Sequence, residues 1–79
     1  MRVRVQLFAS LARHAPEAGE DGFQEMELDD GAVVENLLSR LGVPREAIKL
    51  VFVNGVHADP GTLLKHGDRV GVFPPVAGG

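Results

Sequence analysis

The chain has 79 residues, 44% of them hydrophobic, and a formal net charge of −3. This length supports one compact domain whose modest core could hardly accommodate a deep active-site cleft, so a binding or carrier role is favoured over catalysis. The chain has no cysteine to form a disulfide, and its N-terminal residues alternate in polarity rather than forming a signal peptide, so the cytoplasm is the expected location.

The distribution of charge excludes some classes of partner. Seven of the eleven acidic residues lie between Glu17 and Asp30, the eight basic residues form no cluster, and neither Trp nor Tyr is present to stack on bases. Nucleic acid is therefore not expected as a partner, and no apolar run is long enough for a membrane span. The acidic stretch is interpreted either as a solvated surface or as a docking face for a basic partner.

The N-terminal third predicts a wide hairpin. Alternating apolar residues predict a strand over residues 2–8, and good helix formers predict a short helix over residues 9–15, which Pro16 ends. A second strand, from Phe23 to Leu28, is expected to return beside the first.

The main helix is predicted over Val33–Leu41, where apolar residues recur with helical spacing before Gly42 ends the helix. Ala32 stands at the expected N-cap and offers no side-chain acceptor. Asp30 or the backbone around Gly31 is therefore expected to bond the free amides of the first turn.

The C-terminal half predicts short strands separated by turns. Leu50–Val53 is an apolar strand, Asn54-Gly55 is a strong hairpin signal, and residues 56–58 form the return arm. A short buried turn is expected at Leu63 and Leu64, followed by a last strand over residues 69–73. The whole pattern predicts an α+β domain with a mixed four- to five-stranded sheet, one main helix across one face, and the first and last strands paired centrally.

Side chains offer little catalytic chemistry. The three histidines, His14, His57 and His66, lie on different predicted elements without metal-ligand spacing, so no metal site is expected. The last six residues, 74–79, read Pro-Pro-Val-Ala-Gly-Gly and fit no element. A terminal Gly-Gly arises by chance in roughly 0.5% of chains if glycine is about 7% of residues. The alternatives are an idle terminus and a slim tip that presents its carboxylate to an activating group.

A carboxylate is a poor acyl donor, so another enzyme would have to activate it. The activated carbonyl could then accept sulfur, giving a thiocarboxylate, or an amine, giving an amide. With no cysteine in the chain, any sulfur that it carries must be bound to Gly79.

The segment from Gly67 to Gly79 resembles the ending of the MoaD/ThiS family of ubiquitin-like sulfur carriers. Its Phe-Pro-Pro-Val-Ala-Gly-Gly motif is most similar to the MoaD branch, the small subunit of molybdopterin synthase. The resemblance spans the whole chain, through Val5–Leu11, Gly31–Leu38 and Val53-Asn54-Gly55, although only the tail motif is highly specific. It implies a ubiquitin-like β-grasp domain over residues 1–73 and an extended tail over residues 74–79.

The resemblance also implies a reaction cycle in which the chain is not an enzyme on its own. An E1-like enzyme adenylates Gly79 with Mg-ATP, a persulfide enzyme supplies sulfur, and the thiocarboxylate enters the large synthase subunit in a heterotetramer. The chain itself binds no cofactor. The tail residues implied to enter the partner are Pro74, Pro75, Val76, Ala77 and Gly78. Phe8 and Phe73 match partner-contacting positions, and core packing is the alternative for both rings.

Two positions depart from the family pattern, and other functions remain open. Ala32 replaces a common threonine at the helix N-cap, at a cost of about 1 kcal/mol, and His57 replaces an apolar contact residue. The alternatives are a sulfur carrier for thiazole, tRNA thiolation or cysteine, a protein modifier joined to lysines through Gly79, and an interaction module with an idle tail.

Overall fold

The structure, a computed structural model, describes residues 1–75 and contains a five-stranded sheet and one α-helix in that range. The strands are β1 (Arg2–Leu7), β2 (Phe23–Glu27), β3 (Leu50–Val53), β4 (Val56–His57) and β5 (Arg69–Phe73). The helix is α1 (Val34–Leu41), and two short 3-10 helices span Ala9–His14 and Arg45–Ala47. The predicted α+β class and mixed sheet are confirmed.

The sheet has the order β2-β1-β5-β3-β4, with β1 and β5 parallel and all other neighbours antiparallel. The first and last strands are thus the central pair, as predicted. The register aligns Val5 with Val70 and Leu7 with Val72, so the buried side chains of the two strands point to the same face.

The core lies between this face and α1. Alternate residues of β1 and β5 are buried, and α1 contributes a stripe of apolar residues with helical spacing, as amphipathic elements require. The side chains that are almost fully buried are Val3, Val5, Val34, Leu37, Val70 and Val72. In the described range, none of the helices is long and apolar enough to cross a membrane.

The start of α1 differs from the prediction. Val33, and not Ala32, is the N-cap residue, and Ala32 is buried. The amides of Val34 and Glu35 donate to the carbonyls of Thr62 and Pro60, at 3.0 and 2.9 Å. The expected role of Asp30 and Gly31 is therefore wrong, because a segment distant in the sequence satisfies these amides.

Several local predictions are confirmed and others need correction. Asn54 and Gly55 both have positive φ angles, of 53° and 83°, as the predicted hairpin turn requires. Gly42 ends α1 in a left-handed conformation. The first predicted helix is a 3-10 helix. Of the two leucines in the predicted buried turn, Leu64 is buried, but Leu63 is 55% exposed and forms an isolated bridge with Val33.

Candidate functional site

The face of the sheet opposite α1, which we call the open face, carries all four phenylalanines of the chain. Cross-strand pairs place Phe23 and Gly71 beside Gln6, and Phe52 beside Gly71. Because residues paired directly across strands point to the same side, these positions share the face opposite the buried valines. Phe8 and Phe73 contact each other on the same side.

Aromatic side chains form a continuous row across the open face, from Phe8, which follows β1, over β5 and β3 to β4. The rings of Phe8 and Phe73 stack with centroids 4.1 Å apart and planes inclined by 7°. Phe52 meets Phe73 edge-on at 5.6 Å, and His57 meets Phe52 edge-on at 5.9 Å. Such pairs contribute roughly 0.5–1.5 kcal/mol each beyond area burial, so the row is a preformed surface. We call these four residues the aromatic row.

Gly71 lies beneath the stacked pair of rings. A Cβ atom built on Gly71 would lie 3.3 Å from Cε2 of Phe8 and 3.4 Å from Cε1 of Phe73. The backbone of β5 at this position is ordinary extended strand without a positive φ. Glycine is therefore favoured by the close approach of the rings, which a Cβ atom would displace by a few tenths of an ångström, and not by backbone geometry.

A groove of about 400 Å³ runs along the aromatic row. Four of its ten lining residues are phenylalanines, two have amide side chains, and one, Arg69, is charged. The lining residues are Gln6, Phe8, Phe23, Phe52, Asn54, Gly55, Arg69, Val70, Gly71 and Phe73. We call this feature the aromatic groove.

Beside the groove, towards β2, the open face carries charges that neutralise each other. Arg2 pairs with Glu27 at 3.0 Å and with Glu25 at 3.8 Å, and the hydrogen bond from Arg2 is the main cause that lowers the pKa of Glu27. Arg4 pairs with Asp21, and its guanidinium lies 4.6 Å from the ring centroid of Phe23.

The carboxylate of Asp21 also forms a hydrogen bond with the first residue of β2. Its Oδ1 accepts a hydrogen bond from the amide of Phe23 at 2.9 Å. This bond is the main cause that lowers the pKa of Asp21, and the hydrogen bond and charge of Arg4 lower it further. Partial desolvation raises the pKa of Asp21 and is the second-largest effect, after the hydrogen bond from Phe23, but the net direction is downward.

The end of β5, from which the predicted tail departs, is held on both sides. The amide of Phe8 donates to the carbonyl of Val72 at 3.0 Å, and the amide of Lys49 donates to the carbonyl of Phe73 at 2.8 Å. Pro74 is half-buried and Pro75 is exposed. The departure point of residues 74–79 is therefore fixed next to the aromatic row, and the division into 1–73 and 74–79 stays a prediction.

The predicted site residues divide into two groups. Phe8 and Phe73 are brought together, half-buried, and neither belongs to the buried core, so the alternative of core packing is wrong for both. Their contact with a partner stays a prediction. Pro74 and Pro75 are described, and their insertion into a partner stays a prediction. The other predicted positions lie outside the described residues: Val76, Ala77, Gly78 and Gly79.

The other predicted features are placed as follows. All seven acidic residues of the stretch 17–30 are exposed, and a role in docking a basic partner stays a prediction. Within residues 1–75, no group of three or more His, Asp and Glu side chains is arranged to hold a metal ion. His66 instead accepts a hydrogen bond from the amide of Arg2 at Nδ1, at 3.0 Å.

Sequence reasoning missed Phe23, Phe52, Gly71 and Arg69 as parts of the open face. In β5 a signal was present, because Arg69, Gly71 and Phe73 alternate with two buried valines. In β3 all four residues are apolar, so the sequence does not show which of them face the core and which face the open face. Only the register with β5 assigns Phe52 to the open face.

Comparisons with known proteins agree on the fold. SAMP1 of Haloferax volcanii matches with a TM-score of 0.77 and 28% identity, each chain being covered completely. The putative molybdopterin converting factor subunit 1 of Pyrococcus furiosus matches with a TM-score of 0.76 and 30% identity, over 96% of this chain and 99% of that chain.

A more distant structure shows the fold alone. It is the complex of subunits 1 and 2 of the molybdopterin-converting factor from Helicobacter pylori, whose matching chain is 22% identical with a TM-score of 0.64, both chains being covered completely. No curated protein sequence matches this chain closely enough to count as a relative.

The fold and the family are thus shown together. The sheet order, the single main helix and the neighbouring structures are those of the ubiquitin-like β-grasp fold. The model of the ThiS family matches residues 5–79, nearly the whole chain. The chain therefore belongs to the ThiS family, among the MoaD/ThiS-like ubiquitin-like sulfur carriers, which are small non-catalytic carrier proteins.

Proposed function

We propose that the chain is the sulfur-donating small subunit of a molybdopterin synthase and acts in the cytoplasm in molybdenum or tungsten cofactor biosynthesis. The observation that carries the proposal is the family match, which continues through the tail to Gly79. The 30% identical Pyrococcus furiosus protein, named as a putative molybdopterin converting factor subunit 1, supports the choice of pathway.

In the proposed cycle, the reacting group is the carboxyl group of Gly79. An E1-like partner binds Mg-ATP, the carboxylate oxygen attacks the α-phosphorus, and pyrophosphate leaves. The terminal sulfur of a persulfide on a second enzyme then attacks the acyl carbon, and AMP leaves. A thiol cleaves the resulting sulfur–sulfur bond, which leaves the thiocarboxylate on Gly79 as the sulfur donor.

The folded body acts in this proposal as the handle of the tail. Phe8 and Phe73 contact the partner through the aromatic row, and Pro74 and Pro75 keep the base of the tail extended while the following residues enter the partner. The two hydrogen bonds at the end of β5 support this role, because they fix where the tail departs. The proposed partner is a large synthase subunit, in a heterotetramer.

A second candidate function is protein modification. SAMP1 of Haloferax volcanii, named as a small archaeal modifier protein, is 27–28% identical to this chain. The same activated Gly79 would then react with the amine of a target lysine and form an isopeptide bond. Carriers for thiazole, tRNA thiolation or cysteine would share the thiocarboxylate and differ in the acceptor.

The test is the intact mass of the protein isolated from its native host. We expect a species heavier by the difference between a sulfur and an oxygen atom, located on the C-terminal peptide, and co-isolation of a large synthase subunit. Deletion of Gly79 should abolish this species and molybdopterin formation without changing the thermal unfolding of the body. Gly61→Ala is the matched control, because a Cβ atom at Gly61 meets nothing within 4 Å.

The outcomes separate the candidates. Lysine-linked conjugates without a thiocarboxylate would favour the modifier. A thiocarboxylate with normal molybdopterin levels in a strain lacking the chain would assign the sulfur to another acceptor. A Gly79 deletion that still supports molybdopterin formation would refute both the proposed chemistry and the pathway.

A further inference from the structure

We propose that Arg69 makes the aromatic groove selective for a partner segment that presents a carboxylate beside an apolar side chain. The inference deepens the proposed docking of a partner protein on the open face and rests on it. It concerns the chemistry of that contact, which neither the family match nor the similar structures assign to a residue of this chain.

The first observation is that the charge of Arg69 is not compensated. Three arginines point to the open face, and Arg2 and Arg4 both form ion pairs with acidic residues near β2. Arg69 is exposed, and no carboxylate within residues 1–75 forms an ion pair with it. It is also the one charged residue that lines the groove.

The neighbouring acid in the sequence is occupied elsewhere. Asp68 is buried, its Oδ1 accepts from Nδ2 of Asn54 at 2.9 Å, and its Oδ2 accepts from the amide of Lys65 at 2.8 Å. Both oxygens of the Asp68 carboxylate thus accept hydrogen bonds from within the fold, and the carboxylate forms no ion pair with Arg69 within residues 1–75. It is therefore not available to neutralise the guanidinium of Arg69 on the open face.

The backbone of Arg69 is fixed at the rim of the groove. Its amide donates to Oδ1 of Asn54 at 3.0 Å, and its carbonyl accepts from the amide of Asn54 at 2.8 Å. The guanidinium thus extends from an anchored strand position, so an incoming acceptor would bind with little reordering of the main chain.

Complementarity follows from the lining of the groove. An apolar side chain fits the aromatic walls, and a carboxylate fits the single uncompensated cation. A partner that covered Arg69 without an acceptor would desolvate a charge and leave it unpaired, which is unfavourable. The residue therefore selects partners mainly by disfavouring apolar segments that lack an acid.

The experiment uses chemical-shift titration of the isotope-labelled full chain. The probes are two capped tripeptides, each with phenylalanine and leucine flanking one variable position, which is glutamate in one and glutamine in the other. We expect both to shift the amides of Gln6, Asn54 and Gly71, and the glutamate peptide to bind about threefold more tightly, as for an exposed ion pair.

Variants assign this preference to Arg69. Arg69→Gln should remove the difference between the two peptides without changing the fold, and Arg69→Lys should retain part of it. The matched control is Arg40→Gln, because Arg40 is an exposed arginine on α1 outside the groove. The control should retain the full preference for the glutamate peptide. High salt should weaken binding of the glutamate peptide alone.

Three results would overturn the inference: equal binding of both peptides by the unmodified chain, shifts confined to residues outside the groove, or an undiminished preference in Arg69→Gln. Shifts of the same amides with protein concentration alone would also overturn it, because a second copy of the chain would then occupy the groove. The assay needs no sulfur transfer, so failure of the proposed pathway would leave its result unchanged.

Discussion

Gly71 shapes the open face by having no side chain. The stacked rings of Phe8 and Phe73 approach it so closely that an added Cβ atom would lie 3.3 Å from the nearer ring. The absence of a side chain at Gly71 therefore allows the two stacked rings to lie close to the backbone of β5. Gly71 does not have a positive φ angle, so another residue could adopt its backbone conformation. A substitution there should therefore change only the packing of the rings on the open face.

We expect Gly71→Ala to displace the two rings while leaving the fold intact. Alanine is favoured over glycine inside a strand by roughly 0.5–1 kcal/mol, which should offset most of the energy lost from the stacked pair. Thermal unfolding should change little, whereas the aromatic proton shifts of Phe8 and Phe73 should change strongly. Gly61→Ala serves as the control, and ring shifts unchanged in Gly71→Ala would contradict the role given to this glycine.

At the level of elements, α1 depends on a segment that is distant in the sequence. Two amides of its first turn donate to Pro60 and Thr62, and Leu64 donates to the carbonyl of Ala32 at 3.0 Å. The side chain of Asn36 completes this start, since its Oδ1 accepts from the amide of Val33 at 2.9 Å. The N-terminus of α1 is thus stabilised both by hydrogen bonds to a distant segment and by a local side-chain hydrogen bond.

Replacing Asn36 tests the local part of this arrangement. Asn36→Ala gains helix propensity but leaves the amide of Val33 without its acceptor. Ser39→Ala, at an exposed position of the same helix, gains propensity without that loss. We expect Asn36→Ala to be about 1 kcal/mol less stable than Ser39→Ala in urea unfolding. Equal stability of the two variants would show that the side chain of Asn36 does not support the helix.

This start of α1 also shows where prediction from sequence ends. Features set by neighbouring residues were predicted correctly, such as the turn at Asn54 and Gly55 and the helix end at Gly42, because they depend on local backbone conformation. The acceptors for the helix amides, the carbonyls of Thr62 and Pro60, lie 28 and 25 residues away from Val34 and Glu35, and no local pattern indicates them.

The candidate site also combines features that the local sequence predicts with features that depend on distant segments. The family resemblance assigned Phe8 and Phe73 to the same partner-contacting role, but it did not predict that the two rings stack on each other. The alternation in β5 places Phe73 opposite the buried valines, whereas the addition of Phe52 to the row depends on the register between β3 and β5. That register is set by long-range pairing, which a single sequence does not specify.

For the whole molecule, charge is distributed unevenly. The net charge is −3, and the acidic stretch between residues 17 and 30 is exposed. Around β1 and β2 these acids neutralise two arginines and have lowered pKa values at Asp21 and Glu27. The groove, in contrast, retains one cation on an otherwise acidic protein. The proposed docking of a partner and the expected stability in acid thus involve different parts of one sheet face.

Stability should fall in acid through these two carboxylates. A carboxyl group whose pKa is lowered on folding stabilises the protein above its unfolded pKa, which is about 3.9 for Asp and about 4.3 for Glu, and this contribution is lost as the pH falls through the folded pKa. In urea unfolding, Asp21→Asn should therefore be less stable than the unmodified chain at pH 6, and the difference should shrink towards pH 3.

The control for this titration is Glu17→Gln, because Glu17 is an exposed acid outside the ion pairs found in residues 1–75. It should differ little from the unmodified chain at either pH. A difference between Asp21→Asn and the unmodified chain that persisted undiminished at pH 3 would mean that the ionised carboxylate is not the source of the stabilisation.

The central parallel pair has a mechanical consequence. Because β1 and β5 are adjacent and run in the same direction, a force applied between residues 1 and 75 pulls the two strands past each other. Their hydrogen bonds are then loaded together in shear, whereas a pull across the outer hairpin of β3 and β4 would open its bonds one after another. An unfolding machine that gripped this chain by its C-terminal segment would meet its strongest mechanical resistance at the first strand it tried to remove.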